Sequence, residues 1–562
     1  MTGQTECPTA QLAQRRQNGA LTRVWRRHWP FVLLLLAGAV LRLAVSVAMS
    51  PALMFMGDSY DYIQSARSTT PGLFHPFGYS ALLRSLMWTN DLRVVTTLQH
   101  LMGLGLGVVT YAVLRRLGVR RWLSVVAAAP VLLDAYQVIV EQFVLAEVLF
   151  ELLLLVGIAL LLARHRPALG TCAAVGVLVA AAGLTRPAGF VMLLPCLGLI
   201  AVRRWGWQRL LAPTTGALIV IGSYAVWFHD VHARHGVESF SGRLVYGRVA
   251  PFADCGRLEL SEIERRLCDP RPIEDRPAGG GIHYTWDFTS PLYQLPVPVP
   301  LPLAERLPAR TADDVAQDFA LAVVLGQPGD YLKSLAQQLA VYFGPGRSTN
   351  VGRIPNTVGM PVQTWQFHEE INPGVLNLAL GEDFRSAFNY PDMKSLPLQR
   401  PGSLAGWLRT YQKVAYMPGS VLGGGFLVSL IAVIGWPRRG ELRQRFACAL
   451  LACSGLLLIL VPAATVSFDY RYLLPAAMLL VPASALAVEI LLRLHGHPSH
   501  GRISSDMTKP PVQFRSGGTA SSLGERMPEP TRQATARMTT TNHGAHPPRG
   551  AHSLWPGHST GP

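Results

Sequence analysis

Long apolar runs separated by short polar segments dominate the chain. Ten of these runs are long enough, or nearly long enough, to cross a membrane as helices. They lie at about 31–48, 94–114, 122–140, 142–163, 168–184, 188–202, 209–228, 416–435, 446–466 and 473–492. The first run also has the length of a signal-peptide core, but no small-residue cleavage site follows it. The pattern therefore predicts an all-α polytopic membrane protein with about ten transmembrane helices.

Residues 229–415 interrupt this pattern. They carry most of the acidic residues, a proline-rich stretch at 291–303 and no apolar run long enough to cross. Two segments within them, 311–327 and 331–343, place apolar residues at helical spacing, which predicts amphipathic helices that pack a modest core or lie on the membrane. We therefore expect an extracytoplasmic domain inserted between helices 7 and 8.

The whole chain divides into five parts. We predict a cytoplasmic N-terminal segment, a seven-helix module, the extracytoplasmic domain, a three-helix module and a cytoplasmic tail. The tail is rich in Pro, Ser, Thr, Gly and His without apolar periodicity, which predicts disorder. The respective bounds are 1–29, 30–228, 229–415, 416–494 and 495–562.

Basic clusters set the predicted orientation. They follow the even-numbered runs, and further arginines precede the first run. Lys and Arg are enriched in cytoplasmic loops, so these clusters predict cytoplasmic termini and place loop 56–79 outside. The clusters lie at 115–121, 164–166, 203–209 and 436–445.

Composition agrees with a membrane protein. Of the 562 residues 49% are hydrophobic and only 15% are charged, which excludes an ordinary soluble domain. The formal net charge of +16 would suit a nucleic-acid partner, but the basic residues sit between apolar runs, where orientation in the bilayer explains them. We therefore expect a lipid bilayer as the surroundings and no nucleic acid, and the basic clusters on one predicted side suit a plasma membrane as the location.

Two of the seven cysteines fall in the predicted outer domain. Cys255 and Cys268 are close in sequence on an oxidising side, which favours a disulfide over two free thiols. No Cys-x-x-Cys pair and no nucleophile elbow occurs, so thiol redox chemistry and serine hydrolysis have no motif behind them.

The first outer loop concentrates polar chemistry at a membrane surface. Residues 56–79 read MGDSYDYIQSARSTTPGLFHPFGY, with the acid pair Asp58 and Asp61. Ionisable and aromatic side chains are held there at lower cost than in hydrocarbon. The loop predicts a catalytic segment, and the alternative is an ordinary polar connector between two helices. Its candidate residues are Asp58, Tyr60, Asp61, His75 and Tyr79.

Charged residues also recur inside or at the ends of the predicted helices. Glu141 falls at the outer mouth of the fourth helix, and Glu147 lies about 9 Å deeper at helical rise. Arg186 and Arg471 fall at outer helix ends beside prolines, where a planar guanidinium fork suits a lipid-linked phosphate. The alternatives are structural pairing of acids with arginines and snorkelling of either arginine to lipid headgroups.

Five short motifs, in this order, resemble one family. They are GDSxxY from Gly57, HPxGY from His75, AExLF around Glu147, RPxG from Arg186 and RYLLP from Arg471. Together they resemble the GT-C superfamily of polyprenyl-phosphate-sugar-dependent glycosyltransferases, which contains the protein O-mannosyltransferases and the aminoarabinose transferase of lipid A. The similarity covers most of residues 30–230 and the RYLLP helix, whereas the predicted outer domain matches nothing nameable.

The resemblance implies a GT-C-like bundle and a sugar donor linked to polyprenyl phosphate. It implies an extracytoplasmic glycan, lipid or protein acceptor and a first-loop carboxylate, here Asp58, as general base. Glu147 or Glu141 would be the second acid. The first loop lacks the Asp-Glu pair of protein mannosyltransferases, which favours a glycan or lipid acceptor. The expected phosphate-binding and acceptor-side residues are Arg186, Arg471, Tyr472, Tyr60, Asp61, His75 and Tyr79.

Metal use and function class stay open at this point. Some members of that superfamily use a divalent metal such as Mg or Mn and others do not, and no compact ligand set stands out. A transporter or flippase of a lipid-linked envelope intermediate would also line its path with buried charges. A catalytically silent scaffold that binds a partner is a further alternative. No internal repeat of the kind common in transporters is present in the sequence.

Overall fold

The computed structural model describes residues 8–55, 58–277, 280–299, 307–345, 403–435 and 442–495, with side chains between residues 27 and 494. Within these ranges the chain is all-helical, and the extended segments at Leu53 and Phe143 form an isolated bridge instead of a strand. Gly57, residues 346–402 of the predicted outer domain and the predicted tail beyond His495 lie outside the described residues.

Each of the ten apolar runs contains helical residues, although two of the runs are interrupted. The first part of the chain contains α1 Pro8–Ala48, α2 Asp58–Ser68, α3 Gly78–Leu86, α4 Leu92–Arg116, α5 Arg121–Leu133, α6 Ala135–Gln142, α7 Glu147–Ala163, α8 Leu169–Thr185, α9 Leu193–Val202 and α10 Trp207–His232. The later helices are α11 Ser241–Val249, α12 Glu262–Arg265, α13 Gly281–Trp286, α14 Ala312–Gly326, α15 Pro328–Tyr342, α16 Ser403–Gln412, α17 Gly419–Ile434, α18 Leu442–Thr465 and α19 Leu473–His495. We call the described residues between α10 and α16, which belong to the predicted outer domain, the outer segment; they are 233–277, 280–299 and 307–345.

Five helical stretches of the described chain are long and apolar enough to cross a membrane. The bent pair of α5 and α6 adds a sixth if it is counted as one span. The prediction of a helical protein with several membrane-spanning segments therefore agrees with the structure, while the number of ten crossings stays a prediction. The five stretches are Arg27–Ala48, Leu92–Arg116, Trp207–His232, Leu442–Thr465 and Tyr470–Leu494.

The break between α5 and α6 is made by Asp134. One of its carboxylate oxygens accepts the backbone N–H groups of Tyr136 at 2.8 Å and Gln137 at 3.3 Å. The other accepts the N–H of Met417 at 2.7 Å, and the two helices meet at 44°. This capping satisfies backbone donors that the break would otherwise leave without partners, and it ties the C-terminal helices to the bend.

The predicted fourth helix, 142–163, starts later than expected. Residues 143–146 are not helical, and α7 begins at Glu147. Glu141 and Glu147 therefore lie on different helices, and the expectation that one lies about 9 Å along a continuous helix from the other is wrong.

Helices α11 to α14 build an apolar core of their own. Tyr246, Leu267, Tyr284, Phe319 and other buried side chains pack together there, separately from the main bundle. Polar contacts help to attach this part of the chain and α15 to α18. The Arg248 guanidinium donates from Nε to the carbonyl of Ala463 near the end of α18 at 2.8 Å, and the hydroxyl of Tyr331 on α15 donates to the carbonyl of Ala464 at 3.0 Å.

Cys255 and Cys268 form a disulfide, as the sequence predicts. The bond closes a short loop that runs from the turn at Cys255 past α12, and both cysteines pack against the apolar core of the outer segment. The cross-link therefore limits the unfolded conformations of this part of the chain.

Replacing both cysteines by serine should lower the stability of the outer segment by about 2–4 kcal/mol, because a loop of this length loses its cross-link in the unfolded state. Thermal unfolding of purified protein, followed by proteolysis of the outer segment, measures the change. Cys453→Ser is the matched control, since Cys453 is exposed and forms no disulfide. An unchanged unfolding temperature in the double variant would contradict the expectation.

Candidate functional site

Backbone pairing brings the first outer loop to the start of α7. The Leu53 N–H donates to the last carbonyl of α6 and the Val144 N–H donates to the Leu53 carbonyl, both at 2.9 Å. The Ser59 hydroxyl donates to the Val144 carbonyl at 2.8 Å. These bonds fix the links leading into α2 and α7 side by side. Asp58, the first residue of α2, and Glu147, the first residue of α7, consequently point into one region.

Four charged side chains form a continuous chain of ion pairs there. Arg471 Nη1 donates to Asp58 Oδ2 at 2.5 Å and lies 3.4 Å from Glu147 Oε1. The same Glu147 oxygen accepts a hydrogen bond from Arg186 Nη1. Glu147 is 1% exposed, whereas Asp58, Arg471 and Arg186 keep 13%, 10% and 16% of their side chains exposed. We call these four residues the charge cluster.

A tight turn positions Arg186. The residue follows α8 in an extended conformation, and Pro187 begins a 3₁₀ turn directly after it. A Cβ on Gly189 would lie 2.6 Å from the backbone nitrogen of Gly183, so the chain can fold back against α8 only without a side chain there. This 3₁₀ turn, which folds back against α8, holds the guanidinium of Arg186 at the end of α8, next to the start of α7.

A second short turn positions Arg471. Asp469 accepts the N–H of Arg471 at 3.0 Å and forms an ion pair with its Nε at 2.9 Å. The ring of Tyr472 lies 5.2 Å from the Arg186 guanidinium and 5.4 Å from that of Arg471, so cation–π contacts join the two arginines. Asp469 was not among the predicted site residues. Its signal in the sequence is its capping position ahead of RYLLP.

The pKa of Asp58 lies below its usual value. Burial raises the pKa of this carboxyl, but the positive charge of Arg471 and the neighbouring His75 outweigh burial and lower it. Asp58 is therefore ionised at neutral pH. As long as Arg471 is paired with it, the carboxylate is a weak proton acceptor.

His75 joins Asp58 to the second acid of the loop. Its Nδ1 lies 2.7 Å from Asp61 Oδ2, and its Nε2 lies 3.8 Å from Asp58 Oδ1. The ring also packs on Tyr62, with ring centroids 4.6 Å apart. Burial raises the pKa of Asp61, and the hydrogen bond with His75 offsets only part of that rise. Both loop acids and His75 thus belong to one connected group of side chains.

The two predicted tyrosines of the loop differ in position. Tyr79 is fully buried, and its hydroxyl donates to Gln99 at 2.5 Å. The amide of Gln99 in turn donates to the carbonyls of Glu141 and Phe143, each at 2.7 Å. Tyr79 therefore supports the link before α7 and does not line an open acceptor side. Tyr60 is half-buried on α2 and makes none of the polar contacts that the described residues form around Asp58.

Glu141 lies in a separate cluster. Arg42 donates to both carboxylate oxygens at 2.7 Å, and His100 Nδ1 lies 2.9 Å from one of them. The carboxylate is fully buried, and a Cβ on Gly103 would come within 2.0 Å of it, so α4 requires glycine at this point. The position of Glu141 does not support its predicted role as second acid. It joins α1, α4 and α6.

The charge cluster holds as many carboxylates as guanidinium groups. Two guanidinium groups reach its edge, and a carboxylate stands next to one of them. In the described ranges no three His, Cys, Asp or Glu side chains are grouped to hold a metal ion. Those residues therefore define no ligand set for Mg or Mn.

Replacing Arg42 by methionine should destabilise the protein by about 3–5 kcal/mol, because the Glu141 charge would stay buried without its main partner. Adding Glu141→Gln should restore part of that loss, since no full charge is then left unpaired. Thermal unfolding of the purified single and double variants measures both effects. Arg84→Met, at an exposed arginine, is the control. A double variant less stable than the Arg42→Met single variant would contradict the pairing.

Known proteins offer no close comparison for this site. The chain matches no protein-family model, no curated protein and no solved structure. The function of the charge cluster therefore has to be inferred from its own geometry and charge.

Proposed function

We propose that the chain is a membrane glycosyltransferase that moves a sugar from a polyprenyl-phosphate donor to an acceptor outside the cytoplasm. One observation carries the proposal: Arg471 is shared between Asp58 and Glu147, and Glu147 also holds Arg186. A potential base thus stands beside two groups that bind phosphate. The order of the motifs that resemble GT-C enzymes supports the same proposal.

The two arginines would bind the donor phosphate. Each keeps a small exposed edge, and Tyr472 holds both guanidiniums near the same ring. A planar guanidinium donates two parallel hydrogen bonds to phosphate oxygens. The phosphate gains negative charge as the sugar leaves, so fixed positive charge stabilises the transition state more than the bound donor.

Donor binding would also make Asp58 a better base. In the ligand-free arrangement the Arg471 charge keeps the pKa of Asp58 low. A phosphate that shares Arg471 weakens this effect, so the pKa of Asp58 rises. Asp58 then takes the proton of the acceptor hydroxyl while that oxygen bonds to the anomeric carbon. The carbon–oxygen bond to the phosphate breaks, and its electron pair stays on the phosphate.

Glu147 has a positioning role in this proposal. It is almost fully buried, and the oxygen that contacts Arg186 also faces Arg471. The carboxylate holds the two guanidiniums together and balances part of their charge before the donor arrives. This differs from the second acid expected from the resemblance, because Glu147 contacts only arginines among the charged groups around it.

The proposed orientation places the charge cluster outside the cytoplasm. Helices α4 and α7 end next to the basic segments 115–121 and 164–166, while the charge cluster sits at the opposite end of α7. Basic loops favour the cytoplasmic side. We propose ten crossings, cytoplasmic termini and a plasma-membrane location, with the outer segment on the same side as the charge cluster.

Asp58→Asn should lower kcat for sugar transfer by at least about 10²-fold, because the general base is lost. Arg471→Lys should also lower it, since an ammonium cannot replace a planar fork between two partners. The measurement is release of polyprenyl phosphate by purified protein in liposomes. The donors are polyprenyl-phosphate hexoses and pentoses, offered with glycan, lipid and peptide acceptors.

Asp318→Asn is the matched control for this experiment. Asp318 is an acid with a 54% exposed side chain in the outer segment, far along the chain from the loop, and its variant should transfer sugar normally. Each variant must unfold at the wild-type temperature before its rate is compared. Full activity of Asp58→Asn would refute the proposal. If wild-type protein moves the polyprenyl-phosphate sugar across the vesicle membrane without cleaving it, the result would favour the flippase alternative.

A further inference from the structure

His75 lies between the two carboxylates of the first outer loop. Asp61 holds the Nδ1 side of the ring at 2.7 Å, and the Nε2 side faces Asp58 Oδ1 at 3.8 Å. The opposite oxygen of Asp58 contacts Arg471 at 2.5 Å. Asp58 thus has one oxygen directed at a guanidinium and the other directed at an imidazole.

We propose that His75, oriented by Asp61, receives the proton that Asp58 takes from the acceptor. This inference rests on the proposed transferase function, which makes Asp58 the base. It adds a second proton acceptor and a positioning residue, Asp61. Asp58 and His75 form a relay from the acceptor hydroxyl to solvent, and Asp61 orients the ring.

Asp61 sets the state of the ring. Its carboxylate is 1% exposed and accepts the hydrogen on Nδ1, which leaves the lone pair of neutral His75 on Nε2, facing Asp58. The other Asp61 oxygen is buried without a hydrogen-bond partner among the described residues. Asp61 therefore has one clear polar task, which is to hold His75.

The surrounding chain fixes the loop that carries His75. A Cβ on Gly72 would lie 2.7 Å from the His75 carbonyl and 2.8 Å from the Ser65 hydroxyl, so the loop folds closely against α2. The N–H of Ser239 donates to the Leu73 carbonyl at 2.8 Å, which ties the same loop to the start of the outer segment. Since both sides of the loop are held, the ring has little freedom to turn away from Asp58.

The proton steps balance without any further reactant. The acceptor O–H proton moves to the Asp58 carboxylate as the acceptor oxygen attacks the sugar. Asp58 then passes the proton to Nε2 of His75, which becomes imidazolium and regenerates the carboxylate. The His75 side chain is 22% exposed, so it releases the proton to solvent before the next turnover. The separation of 3.8 Å must shorten for the transfer, which is common when a catalytic site binds its substrate.

The charges around His75 predict a pH dependence. Burial lowers its pKa, but Asp58 and Asp61 raise it more, so the pKa lies above the ordinary histidine value even though Arg471 opposes the rise. The other groups that face it are the ring of Tyr62 and the carboxyl of Glu238, whose pKa burial raises to about 7. Only neutral His75 accepts a proton. The transfer rate therefore falls as pH drops through the raised pKa.

The first experiment measures kcat and KM for the polyprenyl-phosphate sugar between pH 5 and pH 9. In His75→Gln we expect kcat to fall on the order of 10²-fold with KM unchanged, and the acidic limb of the profile to disappear. In Asp61→Asn we expect a lower kcat and an acidic limb shifted to lower pH, because the raised pKa of His75 loses one of its causes. His235→Gln, at an exposed histidine, should keep the wild-type profile.

A purely structural role of His75 would not move the acidic limb of the pH profile. An unchanged acidic limb in His75→Gln therefore overturns the relay.

The second experiment does not require transfer. Carbethoxylation by diethyl pyrocarbonate modifies neutral imidazole, and peptide mass spectrometry gives the rate at His75 as a function of pH. The midpoint in wild-type protein should lie above the ordinary value of about 6.5 and should fall in both Asp58→Asn and Asp61→Asn. The exposed His235 in the same samples is the internal control for the reactivity of the reagent at each pH. If the midpoint for His75 is the same in Asp58→Asn as in wild-type protein, the coupling between His75 and Asp58 is overturned, whatever the transfer assay gives. If the coupling holds and wild-type protein transfers no sugar, the transferase proposal fails and the relay loses its role in transfer, while the charge coupling of His75 to Asp58 and Asp61 stands.

Discussion

The ion pair between Arg471 and Asp58 is the contact on which the arrangement depends. Its partners are 413 positions apart in sequence, so it forms only when the C-terminal helices pack against the first outer loop. Both side chains are largely buried, where an unpaired charge costs several kcal/mol. Once Arg471 is in place, it also lies beside Glu147, which in turn holds Arg186. One long-range contact thus brings together the end of α8 and the starts of α2, α7 and α19.

A comparison of the two buried arginine clusters shows why only one of them is a candidate site. Around Glu141, both carboxylate oxygens are bonded to Arg42 and the carboxylate is completely buried. Such a pair is saturated and leaves no group to bind a ligand. Around Asp58, the arginines and the aspartate stay partly exposed, and Asp58 is paired with Arg471 through only one of its oxygens. Because apolar packing can replace a buried ion pair at little cost, partial exposure and incomplete pairing favour a functional role for the second cluster.

The first outer loop connects this cluster to the rest of the protein. On one side it pairs with the link before α7, and on the other it bonds to the start of the outer segment at Ser239. His75 sits between these attachments, where the aromatic ring of Tyr62 packs on it. The outer segment has its own apolar core and is fixed to α18 by carbonyl contacts. The loop acids are therefore held from both sides, which keeps Asp58 in the charge cluster and Asp61 beside it.

The sequence alone determined the apolar helical runs, the disulfide partners and the types of charge at the site, because apolar periodicity, cysteine position and residue chemistry are local properties. It did not determine which acid meets which arginine. The sequence places Glu141 and Glu147 along one continuous helix, and only the break at residues 143–146 gives them different partners. The burial of Tyr79 and the role of Asp469 likewise depend on contacts with distant segments. Pairing across hundreds of residues follows from packing of the whole bundle, so the tertiary structure decided it.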